Sequence, residues 1–256
     1  MTQDESAIGA IKSVVKVARI LDLLTIHHEG LGVSEIARLL GLKKSSVHGL
    51  LKTMVARGLL ARTARGRYDL GLRLLQYGLL AAGRHDVVVA VRPWAERLAF
   101  QLGQMVHTAL LLGGDVVVIH SLRPMNRFIT YPEPGLPIPP HASAPAKVLL
   151  AYLPEESARA ILEAAPRTAY TPSTITDVPR LLEQLREIRA RGFAVDDEEI
   201  LHTQRGIAVP VRDPEGKVVA AICVHGDLDR VNPADAETVE AVRYAAAAIE
   251  GDLKRG

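Results

Sequence analysis

The stretch that decides the fold is Val33-Ser-Glu-Ile-Ala-Arg-Leu-Leu-Gly-Leu-Lys-Lys-Ser-Ser-Val-His-Gly-Leu-Leu-Lys-Thr-Met-Val-Ala-Arg-Gly58. Ser34 is a good N-cap for a short helix over Glu35 to Leu40, and Gly41 stands where a left-handed residue ends a helix. A second helix over Lys44 to Arg57, ended by Gly58, buries Val47, Leu50, Leu51, Met54 and Val55 at helical spacing. Two short helices parted by Gly41-Leu-Lys43 make a helix-turn-helix, whose second helix enters the major groove of DNA.

The flanks agree with that reading. Upstream, Ser13 to Leu24 carries apolar residues at 14, 17, 20, 21 and 24, one stripe on a helix that ends before Gly30 and Gly32. Downstream, Leu59 to Arg62 and Arg67 to Leu70 alternate around Thr63-Ala-Arg-Gly66, which predicts a hairpin wing with Arg62, Arg65 and Arg67 at its tip. Lys43, Lys44, Ser45, Ser46, His48 and Lys52 crowd the start and outer face of the third helix. There the helix N–H groups, hydroxyls and lysines suit phosphates, and Ser46, His48 and Lys52 are placed for base edges.

Charge supports the division. Residues 1–75 hold twelve Lys and Arg against six Asp and Glu, a net +6, while the remainder is −4 within a total of +2. This division suits a chain whose first part alone meets a polyanion, and on charge alone it equally suits a solvated basic face. No apolar run reaches the ~20 residues of a membrane span, and Met1 to Ser6 lacks a secretory pattern. The single cysteine, Cys223, excludes an internal disulfide and fits a reducing cytoplasm.

Leu72 to Ala82 continues as an apolar-rich linker helix, with a domain boundary near residue 85. A helix follows with Pro93 near its first turn, burying Trp94, Leu98 and Leu102. Strands are expected at 106–112, 116–122, 193–197, 207–212 and 217–225, and helices at 143–153, 155–164 and 178–191. Arg123 to Pro140 is proline-rich loop with room for one short edge strand. Asn232, with Pro233 at the first helical position, caps a final helix with apolar residues at 239, 242, 245, 246 and 249. Hairpins with segregated helices predict an α+β domain. The expected layout is a winged helix-turn-helix over 11–72, a linker helix over 73–86, and a second domain over 87–256.

Ser13 to Leu72 resembles the winged helix-turn-helix of IclR-family bacterial regulators. The likeness rests on Val33-Ser-Glu-Ile-Ala37, Gly41-Leu-Lys-Lys-Ser-Ser-Val-His48 and Gly66-Arg-Tyr-Asp-Leu-Gly71. The family usually has arginine after this histidine, where this chain has Gly49. The second half resembles the family's GAF-like effector domain through Pro137-Ile-Pro-Pro-His-Ala-Ser143, Gly192-Phe-Ala-Val-Asp-Asp-Glu-Glu199 and Gly206-Ile-Ala-Val-Pro-Val211. The resemblance runs from about residue 11 to 253. It implies an all-α winged helix-turn-helix domain joined to an α+β effector-binding domain.

The resemblance places an effector pocket at Ala144, Pro145, Asp196, Gln204, Gly206, Cys223 and His225. Pro145 lacks the N–H with which relatives hold a carboxylate, so the effector is expected to be held differently, as a small acid or amide. Cys223 and His225 also alternate on one strand, which by itself puts them on one face. Cys223 equally suits a plain core position, Asp196 and Asp197 suit loop capping, and His141 and Ser143 suit helix capping.

The expected partners are double-stranded DNA with a pseudo-palindromic operator, a small effector and further copies of the chain as a dimer or tetramer. No cofactor, metal, membrane or catalytic role is implied. The alternatives are a thiol- or metal-based sensor and a Cys/His hydrolase, for which no nucleophile turn or metal-ligand spacing is present.

Overall fold

A computed structural model describes residues 11–123 and 133–255. It divides the chain between Arg84 and His85 into two compact units. Pro124 and Pro132 of the expected loop, and the acidic Met1 to Ser6, lie outside the described residues.

The first unit contains α1 (Lys12–Thr25), α2 (Val33–Leu40), α3 (Lys44–Ala56), β1 (Leu60–Arg62), β2 (Tyr68–Leu70) and α4 (Leu72–Ala82). Ile20 and Leu24 of α1, Ile36 and Ala37 of α2, and Val47, Leu51 and Met54 of α3 close one core with Leu31, Leu60 and Tyr68. Leu50 and Val55 are only half-buried, since they flank the stripe rather than centre it. The hairpin pairs Leu60 with Leu70 and Arg62 with Tyr68. Leu31 joins it as a third short rung, exchanging backbone hydrogen bonds of 2.8 and 2.9 Å with Tyr68. Gly30 enables that approach: its φ is +68°, and a Cβ there would stand 2.6 Å from the Tyr68 carbonyl oxygen.

Ser34 does not cap α2. The helix begins two residues earlier than Glu35, at Val33, and the N–H of Gly32 is satisfied by Glu35 Oε2 at 2.7 Å. The C-terminal end is as expected, with Gly41 at φ +64°.

The second unit contains α5 (Asp86–Leu102), β3 (Met105–Leu112), β4 (Asp115–Leu122), α6 (Ala144–Ala151), α7 (Glu155–Ala164), α8 (Val178–Arg191), β5 (Ala194–Asp197), β6 (Gln204–Arg212), β7 (Val218–Asp227) and α9 (Ala236–Leu253). The strands form one antiparallel sheet in the order β4-β3-β7-β6-β5. Strand alternation separates the two faces. Ile222 and Val224 of β7 lie in the core with α5 and α9, whereas Ala221 and Cys223 lie in the core with α6 and α8.

Three expectations are corrected here. Pro93 is not near a helix start but seven residues inside α5, which begins at Asp86. Of the residues expected to be buried there, Leu98 is, while Trp94 is half-buried and donates its indole N–H to Asp252 at 2.6 Å. Finally, α9 is capped by Asp235, whose carboxylate accepts from the Glu237 N–H, while Asn232 closes the preceding turn onto the Ala234 N–H. Gly135 to Ile138 run along β4, with Ile138 N–H donating to Val116 O at 2.8 Å. That is the short edge pairing.

Candidate functional site

Ser45, His48, Gly49 and Lys52 follow one another at spacings of three, four and seven, so they share one face of α3, opposite Val47, Leu51 and Met54. All four are exposed, as are Lys43, Lys44 and Ser46 at the helix start. Burial of the other stripe therefore holds a polar, basic face to solvent. The first backbone N–H groups of α3 have no intrahelical acceptor and lie at the same helix end as Lys43 and Lys44.

The wing arginines divide into two kinds. Arg62 and Arg65 are exposed, with the Arg62 guanidinium 5.6 Å from the centre of the Tyr68 ring. Arg67 departs from the expectation of a tip residue. Its Nε donates to Gly30 O at 3.0 Å, and its guanidinium lies 3.0 Å from Glu35 Oε2. Glu35 is held below the usual carboxylate range by the Gly32 N–H first and Arg67 second. Arg67 fastens the hairpin to α2.

In the second unit the sheet face beneath α6 carries the other expected residues in two rows. One row across the strands is Met105, His225, Gly206 and Asp196; the next is His107, Cys223, Ala208 and Ala194. Pairing of His107 with Ser121 extends the second row to β4. His107 was not foreseen from the sequence, where it reads as one polar residue in an apolar strand. Ala144 and Pro145 open α6 above these rows and are buried. A Cβ on Gly206 would meet His225 Cδ2 at 3.2 Å, Cys223 Sγ at 3.5 Å and Ala144 Cβ at 3.6 Å, so four of the expected residues converge there. Gln204 shares the face of Gly206, but its amide nitrogen donates to Asp227 at 2.5 Å at the sheet's end.

The cluster is closed. His107, Asp196, Cys223 and His225 are each at most 1% exposed. Their imidazole rings stand edge to face, with His107 and His225 centroids 6.4 Å apart at 68°. Desolvation pushes His107 down to about 3 and His225 down to about 4, leaving both neutral near pH 7. The same cause raises Asp196 to about 7 and lifts the Cys223 thiol well above its ordinary range.

Lys147, fully buried on α6, forms an ion pair with Glu199, which is also buried. Desolvation is the main cause that lowers Lys147 and raises Glu199, with their mutual attraction opposing it. Of the four acids in 196–199, Asp196 and Glu199 turn inward. Asp197 pairs outward with Arg205, and Glu198, at φ +59°, accepts from Thr203 N–H. Thr171 and Thr174 hydroxyls donate at 2.6 Å to the Glu198 and Glu199 carbonyls and fix this turn. His141 and Ser143 do not cap α6: His141 Nε2 lies 3.0 Å from Thr168 O, and the Ser143 hydroxyl donates to Pro139 O.

Comparison with known proteins covers both units. Residues 13–64 match the IclR helix-turn-helix domain, and residues 79–251 match the family described as bacterial transcriptional regulator IclR C-terminal. The chain is 34% identical over 226 residues to the HTH-type transcriptional regulator XynR of Escherichia coli (strain K12), covering 88% of this chain and 90% of that one. It is 34% identical over 251 residues to the glycerol operon regulatory protein of Streptomyces coelicolor, covering 96% and 98%. Among solved structures, an IclR homolog from Microbacterium hydrocarbonoxydans complexed with 4-hydroxybenzoate is similar at TM-score 0.80 and 29% identity, over 95% of this chain and all (100%) of that one.

Proposed function

The chain belongs to the IclR family of bacterial transcriptional regulators and binds DNA through its helix-turn-helix, and from that premise we propose that it is a repressor whose hold on its operator is set by a small organic acid or amide bound beneath α6. The observation that carries this reading is the exposed face of α3 on a basic unit. Lys43, Lys44, Ser45, Arg62 and Arg65 contact phosphates and fix the register, while Ser46, His48 and Lys52 reach base edges. The partner is chromosomal DNA, so the chain acts in the cytoplasm.

The working unit is a dimer on a pseudo-palindromic operator. Support comes from α4, which buries no residue and exposes Leu72, Leu75, Tyr77, Leu79 and Leu80; such an apolar surface favours a second copy. The relative solved with 4-hydroxybenzoate supports a small organic ligand for the effector site. The ligand acts by binding one arrangement of the dimer more tightly than another.

A Cys/His hydrolase is disfavoured because burial keeps the Cys223 thiol protonated and His225 neutral, whereas nucleophilic catalysis needs a thiolate beside a base. Among the described residues no group of three or more metal-ligating side chains comes together.

The test is binding to DNA upstream of the genes beside its own, measured against salt. Affinity should fall with a log–log slope of about −0.9 per neutralised phosphate, and reporter expression should rise when the gene is deleted. Salt-independent binding removes the regulator reading; lower expression on deletion makes the chain an activator.

A further inference from the structure

We propose that Gly49 determines specificity in the DNA contact of this chain: its missing side chain lets the crest of α3 close on a thymine in the major groove, whose 5-methyl group takes the place of a Cβ. The proposal deepens the operator reading above and rests on it.

Glycine inside a helix gives up more backbone freedom on folding than alanine does, and weakens the helix. Nothing within the first unit offsets that loss at Gly49. Its backbone is helical and its φ is not positive, so alanine would fit. A Cβ there would meet nothing within 4 Å, whereas at Gly30 it would strike the Tyr68 carbonyl oxygen at 2.6 Å. The reason for glycine at 49 therefore lies in what the helix meets.

The position of Gly49 says what that is. With about 100° of turn per residue, it stands about 15° from the line directly opposite the buried Val47, Leu51 and Met54. Ser45, His48 and Lys52 flank it, all exposed. Since the chain binds DNA through this helix-turn-helix, Gly49 is the crest of the face that enters the groove. The major groove admits an α-helix with little room to spare. A side chain at the crest sets how deep the helix sits, and its absence lets the backbone reach the base edges.

Chemistry then selects the base. Gly49 presents Cα hydrogens, and its carbonyl oxygen accepts the Thr53 hydroxyl at 3.1 Å. Thr53, one turn on and exposed, thus has its hydroxyl engaged inside the helix and keeps its γ-methyl for the groove. Between the polar side chains of Ser45, His48 and Lys52, the crest is built of C–H groups. The apolar group on major-groove base edges is the thymine 5-methyl. A C–H surface takes that group without leaving a base donor or acceptor unpaired.

The test uses the full chain and its footprinted operator, with each protected thymine replaced in turn by deoxyuridine, which removes the methyl alone. Fluorescence anisotropy at one salt concentration reads the affinity. For the natural chain one thymine in each half-site should matter, its replacement weakening binding about fourfold, the worth of one buried methyl. Gly49→Ala should weaken binding to the thymine operator at least about tenfold. At the deoxyuridine operator the added Cβ has room, so Gly49→Ala should bind that operator more tightly than the thymine one, reversing the preference. Both chains should bind DNA of unrelated sequence equally, because that affinity rests on phosphates.

Undiminished operator binding by Gly49→Ala overturns the proposal, as does a thymine preference that does not reverse in that variant. A half-site in which no thymine matters to the natural chain also overturns it. Each of these leaves the operator reading standing, because the natural chain still binds its operator. If the natural chain protects no DNA upstream of the neighbouring genes, the operator reading falls and the proposal falls with it.

Discussion

The guanidinium of Arg67, beside the turn of the β1–β2 hairpin, lies 3.0 Å from the carboxylate of Glu35 on α2. The guanidinium of Arg67 is thereby engaged within the first unit, whereas Arg65, two positions away, is exposed. Arg65→Ala should leave the melting temperature unchanged and make the salt slope of operator binding shallower by about 0.9. Arg67→Ala should lower the melting temperature and weaken binding with no change in slope. A shallower slope for Arg67→Ala would return that residue to the phosphates.

Gly49 sits in the middle of α3 on the exposed face, and a Cβ there meets nothing within 4 Å. Gly49→Ala should therefore stabilise the first unit by about 1 kcal/mol. Gly49→Arg should add a cation to the same face and steepen the salt slope by about 0.9. Chemical denaturation and a salt titration of operator binding check the two separately. Destabilisation by alanine would mean that the helix needs glycine there.

The buried acid and the buried imidazoles act on stability with opposite signs. Asp196 is raised from 3.8 to about 7, so between these values the folded chain holds a proton that the unfolded chain releases. Stability from that group is present at low pH and lost as pH rises through 7. His107 and His225 fall from 6.5 to about 3 and 4, so their contribution is present above 6.5 and lost on acidification. Asp196→Asn removes one opposing contribution, so between pH 4.5 and 6.5 the loss of stability on acidification should become steeper by up to about 1.4 kcal/mol per pH unit. Urea unfolding across that range reads the slope; an unchanged slope means Asp196 titrates alike in both states.

Lys147 and Glu199 form an ion pair with neither partner in water. Removing one charge strands the other, so Lys147→Met or Glu199→Gln should cost about 3–5 kcal/mol. The double variant Lys147→Met with Glu199→Leu should recover most of that loss. A double variant as unstable as the two single changes combined would show that the pair is stabilising in its own right, beyond the avoidance of a lone charge.

Much of the first unit was legible because its signals are local. The stripe of Val47, Leu51 and Met54 dictates which face of α3 stays wet, while Gly41 ends α2 and Gly58 follows α3. What local pattern does not carry is the choice among partners distant in sequence. Arg67 looked like any wing cation, because nothing near it names Glu35. Pro93 looked like a helix start because proline favours the first turn, yet α5 continues through it with Val91, Ala95 and Leu98 buried against the sheet. Asp196, Gly206, Cys223 and His225, the residues expected at an effector site, could be named from motif. Their meeting depends on β7 lying between β3 and β6, and that same order brings in His107, which no motif singled out.

Cys223 is the chain's one sulfhydryl, it lies 1% exposed beneath α6, and burial keeps it protonated. An alkylating reagent attacks the thiolate, so it can mark this sulfur only during the moments when the structure around it opens. The marking rate is therefore a clock for that opening. Any molecule that binds the closed form alone slows the clock, whether or not anyone yet knows what the molecule is.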